Sequence, residues 1–242
     1  MEQNKKQAIV PPKINTALVG ELTREVLASR TSIPIFRIKL SAEIVYNYLT
    51  AHYMAMVALR GREYIDDGNT RMVIYRLSLA LTAARPRCGV MLCGTCGNGK
   101  TTLVYAIQSV INKLNKEHHF SFLPRNYKVG IEICDAKDLI NSKDNDELRE
   151  LSERDMLAID DLGKEPAEIL DYGTVKSPVI DLLEKRYLKD RFTLITTNLA
   201  PNEIRVKYGV RIADRFREMF EVIPFEFKSY RQNTERRTVD NE

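Results

Sequence analysis

Residues Gly94 to Thr101 read GTCGNGKT and match the pattern G-x-x-x-x-G-K-[ST] in full. Gly94, Gly97 and Gly99 let backbone amides turn inward around phosphate oxygens, where larger side chains would block the approach. Thr95, Cys96 and Asn98 fill the loop between them, and Thr102 continues into the next element. Lys100 adds a point charge for the β- and γ-phosphates, and the Thr101 hydroxyl is a ligand for Mg²⁺. The chemistry implied is the binding of ATP with Mg²⁺. A chance match in a chain of this length is on the order of one in a hundred from average composition.

Further on comes MLAIDDLG, residues 156–163. An apolar strand ending in two carboxylates sets Asp160 at the carboxyl edge of a sheet, where it holds Mg²⁺ directly or through water. Asp161 then orients or deprotonates an attacking water. Taken alone, such a pair is more often a turn; a phosphate loop upstream reverses that preference. FTLITTN, residues 192–198, is another apolar run with a polar tip. Asn198 is placed to polarise the water or to touch the γ-phosphate, the plainer alternative being a helix cap. YGVRIADRFREMF carries Arg211 and Arg215 four residues apart, on one helix face. A guanidinium there can stabilise charge at a γ-phosphate, often that of a neighbouring subunit. Composition alone would make these arginines a solvated basic face.

The elements that must position these groups follow from periodicity. Leu18, Leu22 and Val26 recur every fourth residue in a first helix over about 16–28. A second helix spans about 41–60, and a third begins after Asp66-Asp67-Gly68-Asn69, capped by Asn69, and stops near Pro86. From residue 88 onward the pattern changes. CGVMLC reads as a buried strand, 101–114 as a helix, 128–134 as a strand and 136–141 as a helix. The charged stretch 144–154 is a surface helix, 156–160 a strand, 178–188 a helix and 192–197 a strand. Helices at 203–208 and 210–220 precede a last strand at 222–227. Strands alternating with helices predict an α/β fold with a parallel sheet. The break between the helical N-terminal part and this core falls near residues 65–70.

Composition sets the remaining bounds. At 242 residues and 44% apolar, the chain can build a substantial core. It contains no apolar run long enough to span a bilayer and no signal-peptide pattern, which predicts a cytoplasmic protein without membrane contact. The net charge of +4 permits nucleic-acid binding without arguing for it. Cys88, Cys93, Cys96 and Cys134 lack a second ligand pair at zinc spacing and read as reduced thiols. Nothing marks His52, His118 or His119 as ligands or bases.

Together GVMLCGTCGNGKTTL, LAIDDLGKE, LLEKRYLKDRFTLITTNL, YGVRIADRF and the closing SYR at 229–231 resemble the AAA+ ATPases. More narrowly, they resemble bacterial helicase loaders of the DnaC type and the related IstB-like transposition ATPases, over roughly residues 70–231. The resemblance implies a five-stranded parallel P-loop core flanked by helices, with no C-terminal lid domain. It implies ATP at an interface in a homo-oligomer, with Arg211 or Arg215 reaching the neighbour's γ-phosphate. It also implies contact with single-stranded DNA and action on a replicative helicase, or alternatively on a transposase. The chain then divides into a helical partner-binding region (1–68), an ATPase core (69–231) and a polar tail (232–242). The second acid is Asp, where most AAA+ proteins have Glu, and residues 166–177 form an insertion without an assigned role. A small-molecule kinase would need an arginine-rich lid, and the acidic pair with Asn198 argues against it. A non-hydrolysing scaffold would not need both carboxylates.

Overall fold

The structure is a computed structural model that describes residues 13, 15–29, 35–116, 130–141, 145–171, 174–226 and 230. The chain forms two compact units, Met1–Ile33 and Pro34–Glu242. The first holds helix α1 (Thr16–Ser29), which begins where the Asn15 side chain accepts from the Leu18 amide at 3.1 Å. Its fourfold apolar repeat is real, and Leu18, Leu22 and Val26 on it are exposed.

In the second unit, five strands build one all-parallel sheet: β1 (Gly89–Gly94), β2 (Glu132–Asp135), β3 (Met156–Leu162), β6 (Phe192–Thr197) and β7 (Phe220–Phe225). Their order is β2-β3-β6-β1-β7, so the phosphate-loop strand and the acidic strand flank β6. The three central strands β3, β6 and β1 are short, largely apolar runs because both of their faces are buried, whereas the edge strands β2 and β7 are only partly covered. Val90 and Leu92 of β1, Ala158 of β3 and Leu194 of β6 pack with helices α2 (Ala42–Leu59), α3 (Gly68–Thr82) and α4 (Lys100–Lys116). The alternate residues Met91, Leu157, Ile159 and Ile195 pack with α7 (Pro178–Leu188), α8 (Pro201–Tyr208) and α9 (Val210–Met219). Parallel pairing in register brings the carboxyl ends of β1, β3 and β6 to one edge. Two short helices, α5 (Asp138–Asn141) and α6 (Asn145–Glu153), link β2 to β3.

Several boundaries differ from the sequence expectation. Asp67 rather than Asn69 caps α3, its carboxylate accepting from the Thr70 amide at 2.6 Å. That helix ends at Thr82, before the region of Pro86. Strand β7 begins at Phe220, because Met219 and Phe220 already turn into the core below α9. The segment 166–177 contains an antiparallel pair, β4 (Ile169–Asp171) and β5 (Thr174–Lys176). Helix α2 belongs to the same compact unit as the sheet: Val45, Leu49 and Tyr53 are buried against Leu77 of α3 and Leu103 and Ile107 of α4. The compact unit therefore starts well before residue 69. His52 is satisfied by Ser109, its Nδ1 lying 2.8 Å from the hydroxyl. His118, His119, residues 128–129 of the strand expected over 128–134, and the tail 232–242 lie outside the described residues. Among the described residues no helix is long and apolar enough to cross a membrane.

Candidate nucleotide site

Strand β1 ends in the phosphate loop and α4 opens at Lys100, as the motif requires. Two glycines are dictated by space and conformation together. Gly94 has φ 148°, and a Cβ on it would lie 2.4 Å from the Phe225 carbonyl oxygen. Gly99 has φ 93°, and a Cβ there would meet the Tyr53 hydroxyl at 2.4 Å. The loop is tied down from behind. Asn98 donates from Nδ2 to the Phe225 carbonyl at 3.2 Å, and the Tyr230 amide donates to the Gly97 carbonyl at 3.1 Å. The Tyr230 hydroxyl sits 2.6 Å from Thr70 Oγ1 and donates to Asp67 at 2.8 Å.

Lys100 is buried, and its ammonium donates to the carbonyls of Gly94 and Thr95, each at 2.7 Å, and to Asn98 Oδ1 at 3.1 Å. Burial holds its pKa below the usual lysine value, an effect that Cys96, Asp161 and Asp160 partly oppose. The Leu103 amide already donates to the Gly99 carbonyl at 3.0 Å. The amides of Lys100, Thr101 and Thr102 precede it in the first turn, where helices leave donors for an anion.

The acidic pair sits on a break in the sheet. The β3–β6 register shifts between Ile159 and Leu162, and Asp161 takes a φ of 59°, rare for a residue with a side chain. One hydroxyl organises both acids. Thr196 donates to Asp160 Oδ1 and accepts from the Asp161 amide at 2.8 Å. Thr101 donates to the same Asp160 oxygen at 3.3 Å, bringing the phosphate loop and the acidic strand into contact. A hydroxyl and a carboxylate this close are hard oxygen donors that fit Mg²⁺, which completes its shell with water and phosphate oxygens. Lys164 pairs with Asp161, and that bond raises the lysine pKa. Glu165 is buried beneath this turn. It accepts from the Gly163 amide at 2.8 Å and from the Tyr208 hydroxyl, whose pKa burial and the carboxylate push upward.

Asn198 follows β6 and is exposed. It does not cap α8: the Glu203 carboxylate accepts from the Ala200 amide there, at 2.7 Å. Arg211 and Arg215 do not join the loop or the acids, because both pair with Glu184 of α7. Arg215 also lies 5.5 Å over the Tyr187 ring and is 27% exposed, whereas Arg211 is 73% exposed. The four cysteines are free; Cys96 is exposed and Cys88 buried. Sequence reading passed over Thr196, Glu165, Tyr230 and Tyr53. Glu165 and Tyr230 do fall within stretches that carry the resemblance, LAIDDLGKE and SYR, but with no role assigned to them.

No protein-family model matches the chain, and no curated protein matches it. Among solved structures, a crystal structure of DnaI aligns over 69% of this chain and 86% of its own, with TM-score 0.50 and 21% identity. A crystal structure of the DnaC helicase loader aligns over 74% of this chain and 98% of its own, with TM-score 0.52 and 19% identity. At these identities the likeness is one of fold. The parallel order β2-β3-β6-β1-β7, with its phosphate loop at one end of β1, gives this chain the P-loop AAA+ fold.

Proposed function

We propose that this chain binds ATP with Mg²⁺, hydrolyses it, and acts as a loader of a replicative helicase on single-stranded DNA. The observation that carries the ATPase reading is the contact of Thr101 with Asp160, organised by Thr196. A phosphate-binding loop alone would explain binding; an acidic pair locked onto it is what turnover needs. Lys100 and the first amides of α4 hold the β- and γ-phosphates. Thr101 and Asp160 hold the metal, which when bound draws charge from the phosphoryl oxygens. Asp161 takes the proton of the attacking water, and Asn198 orients that water. Arg211, the more exposed of the two arginines, swings from Glu184 to a neighbouring subunit's γ-phosphate in a homo-oligomer.

The loader role is supported by the DnaC likeness in fold and by the exposed Leu18, Leu22 and Val26 stripe of α1, which suits a protein partner. The test is steady-state ATP turnover of the full chain, with and without single-stranded DNA and helicase. The expected result is turnover that rises per subunit with protein concentration and responds to DNA, is lost in Lys100→Ala, and accompanies helicase capture in ATP. Turnover indifferent to DNA, with no helicase bound, would overturn the loader role. Retention of a transposase instead would turn the reading toward a transposition helper.

A further inference from the structure

Helix α2 runs antiparallel along α4, as three contacts record. Lys113 lies 5.7 Å over the Tyr48 ring, His52 Nδ1 is 2.8 Å from Ser109 Oγ, and Arg60 Nη1 donates to Thr102 Oγ1 at 2.5 Å. Each step toward the C-terminus of α2 is a step toward the N-terminus of α4. Arg60, the C-cap of α2, therefore lands on the phosphate-binding turn.

This is an unusual place for a cation. The first turn of α4 already carries the positive end of the helix dipole and the Lys100 ammonium. Arg60 adds a guanidinium, and its partners there are neutral: the Thr102 hydroxyl and the Tyr105 ring, 5.7 Å away. Arg60 is exposed, so its guanidinium is accessible to a ligand. Among the described residues neither Arg60 nor Lys100 is hydrogen-bonded to a carboxylate, an arrangement suited to an anion.

Topology says which part of the nucleotide that anion belongs to. The acidic pair marks the γ end, and β3 lies beyond β6 on one side of β1. Strand β7, packed with α3, lies on the other side. Thr102 follows Thr101, so its amide is the next donor along the turn, and the helix that brings Arg60 to it packs with α3 on the β7 side. We propose that Arg60 binds the α-phosphate of the nucleotide, with the Tyr105 face holding the guanidinium in place. Helix α2 thereby becomes part of the nucleotide site. This inference rests on the reading of the loop as an ATP site.

Two measurements on the full chain test it. Wild-type protein is labelled with an arginine-selective dicarbonyl reagent and mapped by mass spectrometry; ATP and ADP should both shield Arg60, since both carry the α-phosphate. Arg60→Ala should weaken ATP and ADP by the same factor, about tenfold, with the loss in KM rather than kcat and partial recovery in Arg60→Lys. If Arg60→Ala lowers the melting temperature while both nucleotides bind as in wild type, Arg60 only packs α2 on α4, and the proposal falls with the ATP reading intact. If wild-type protein binds neither nucleotide, the ATP reading fails and takes this proposal with it.

Discussion

Asp161 has a left-handed backbone, with φ 59° and its amide held by Thr196. Strain of this kind persists where the surroundings over-determine it, and here it turns the carboxylate out of the strand toward Lys164. Replacing Asp161 with Asn keeps the shape and the amide bond but removes the proton acceptor. Asp161→Asn should bind a fluorescent ATP analogue as wild type does and release phosphate about 100-fold more slowly or worse. Wild-type turnover in this variant would assign the base elsewhere. Thiol chemistry gives a second check. Burial pushes the Cys88 thiol up to about 11 and Cys134 to about 12, and raises Cys93 too. The thiolate is the reactive form, so at pH 8 these three stay protonated and inert. Exposed Cys96 should be the one residue alkylated, and bound ATP should slow its labelling. Equal labelling with and without ATP would place the nucleotide away from the loop. Lys100 and Thr101 stood out in the sequence because their spacing is itself the motif, and Asp160 because an apolar run ends in it. Thr196 was not, since a threonine within an apolar run reads as an ordinary strand residue until its register with β3 is known.

Elements α6, α7 and β6 meet at one buried side chain. Arg186 of α7 donates to the carbonyls of Leu151 and Arg154, each at 2.7 Å, to that of Phe192 at 2.6 Å, and to Thr193 Oγ1 at 2.9 Å. It thus satisfies orphan carbonyls at the end of α6 and aligns β6, whose far end carries Thr196 and leads to Asn198. Arg186→Leu fills a similar volume but leaves four acceptors without their donor. The expected cost is about 3 kcal/mol or more, read as a lowered denaturant midpoint. An unchanged midpoint would mean that water replaces the guanidinium without penalty. The sequence reading of 178–188 as a helix did not single this residue out, since it is one of several charged residues in EKRYLKDR. Element types were far more legible, because buried parallel strands are short apolar runs bounded by turns. The hairpin β4–β5 was missed as structure: each of its strands is three residues long, too short for alternation to register.

At the scale of the whole molecule, the sequence misplaced the internal boundary, and for a physical reason. A tyrosine- and methionine-rich helix reads equally well as an interface or as core, and periodicity does not say what covers its apolar face. The fold answers the question for α2, and α1 belongs to a separate compact unit. Helix α2 buries Val45, Leu49 and Tyr53, with Phe36 and Ile38 of the preceding segment beside them. The Ile38 amide also donates to the Leu81 carbonyl at 2.8 Å, fastening that segment to the end of α3. Two truncations should therefore behave differently. A chain lacking residues 1–33 keeps every one of these core residues and should melt cooperatively near the full-length temperature, bind ATP, and lose capture of the helicase. A chain lacking residues 1–68 loses all five, each contributing about 1.5–3 kcal/mol by burial. Their sum, about 7–15 kcal/mol, matches the whole stability of an ordinary domain. This shorter chain should show no cooperative melting by circular dichroism and no ATP binding, because Tyr53 and Arg60, which abut Gly99 and Thr102, leave with the core. Cooperative melting and wild-type ATP affinity in the shorter chain would show that α2 is dispensable, and partner capture would then have to be sought across residues 1–68 rather than on α1.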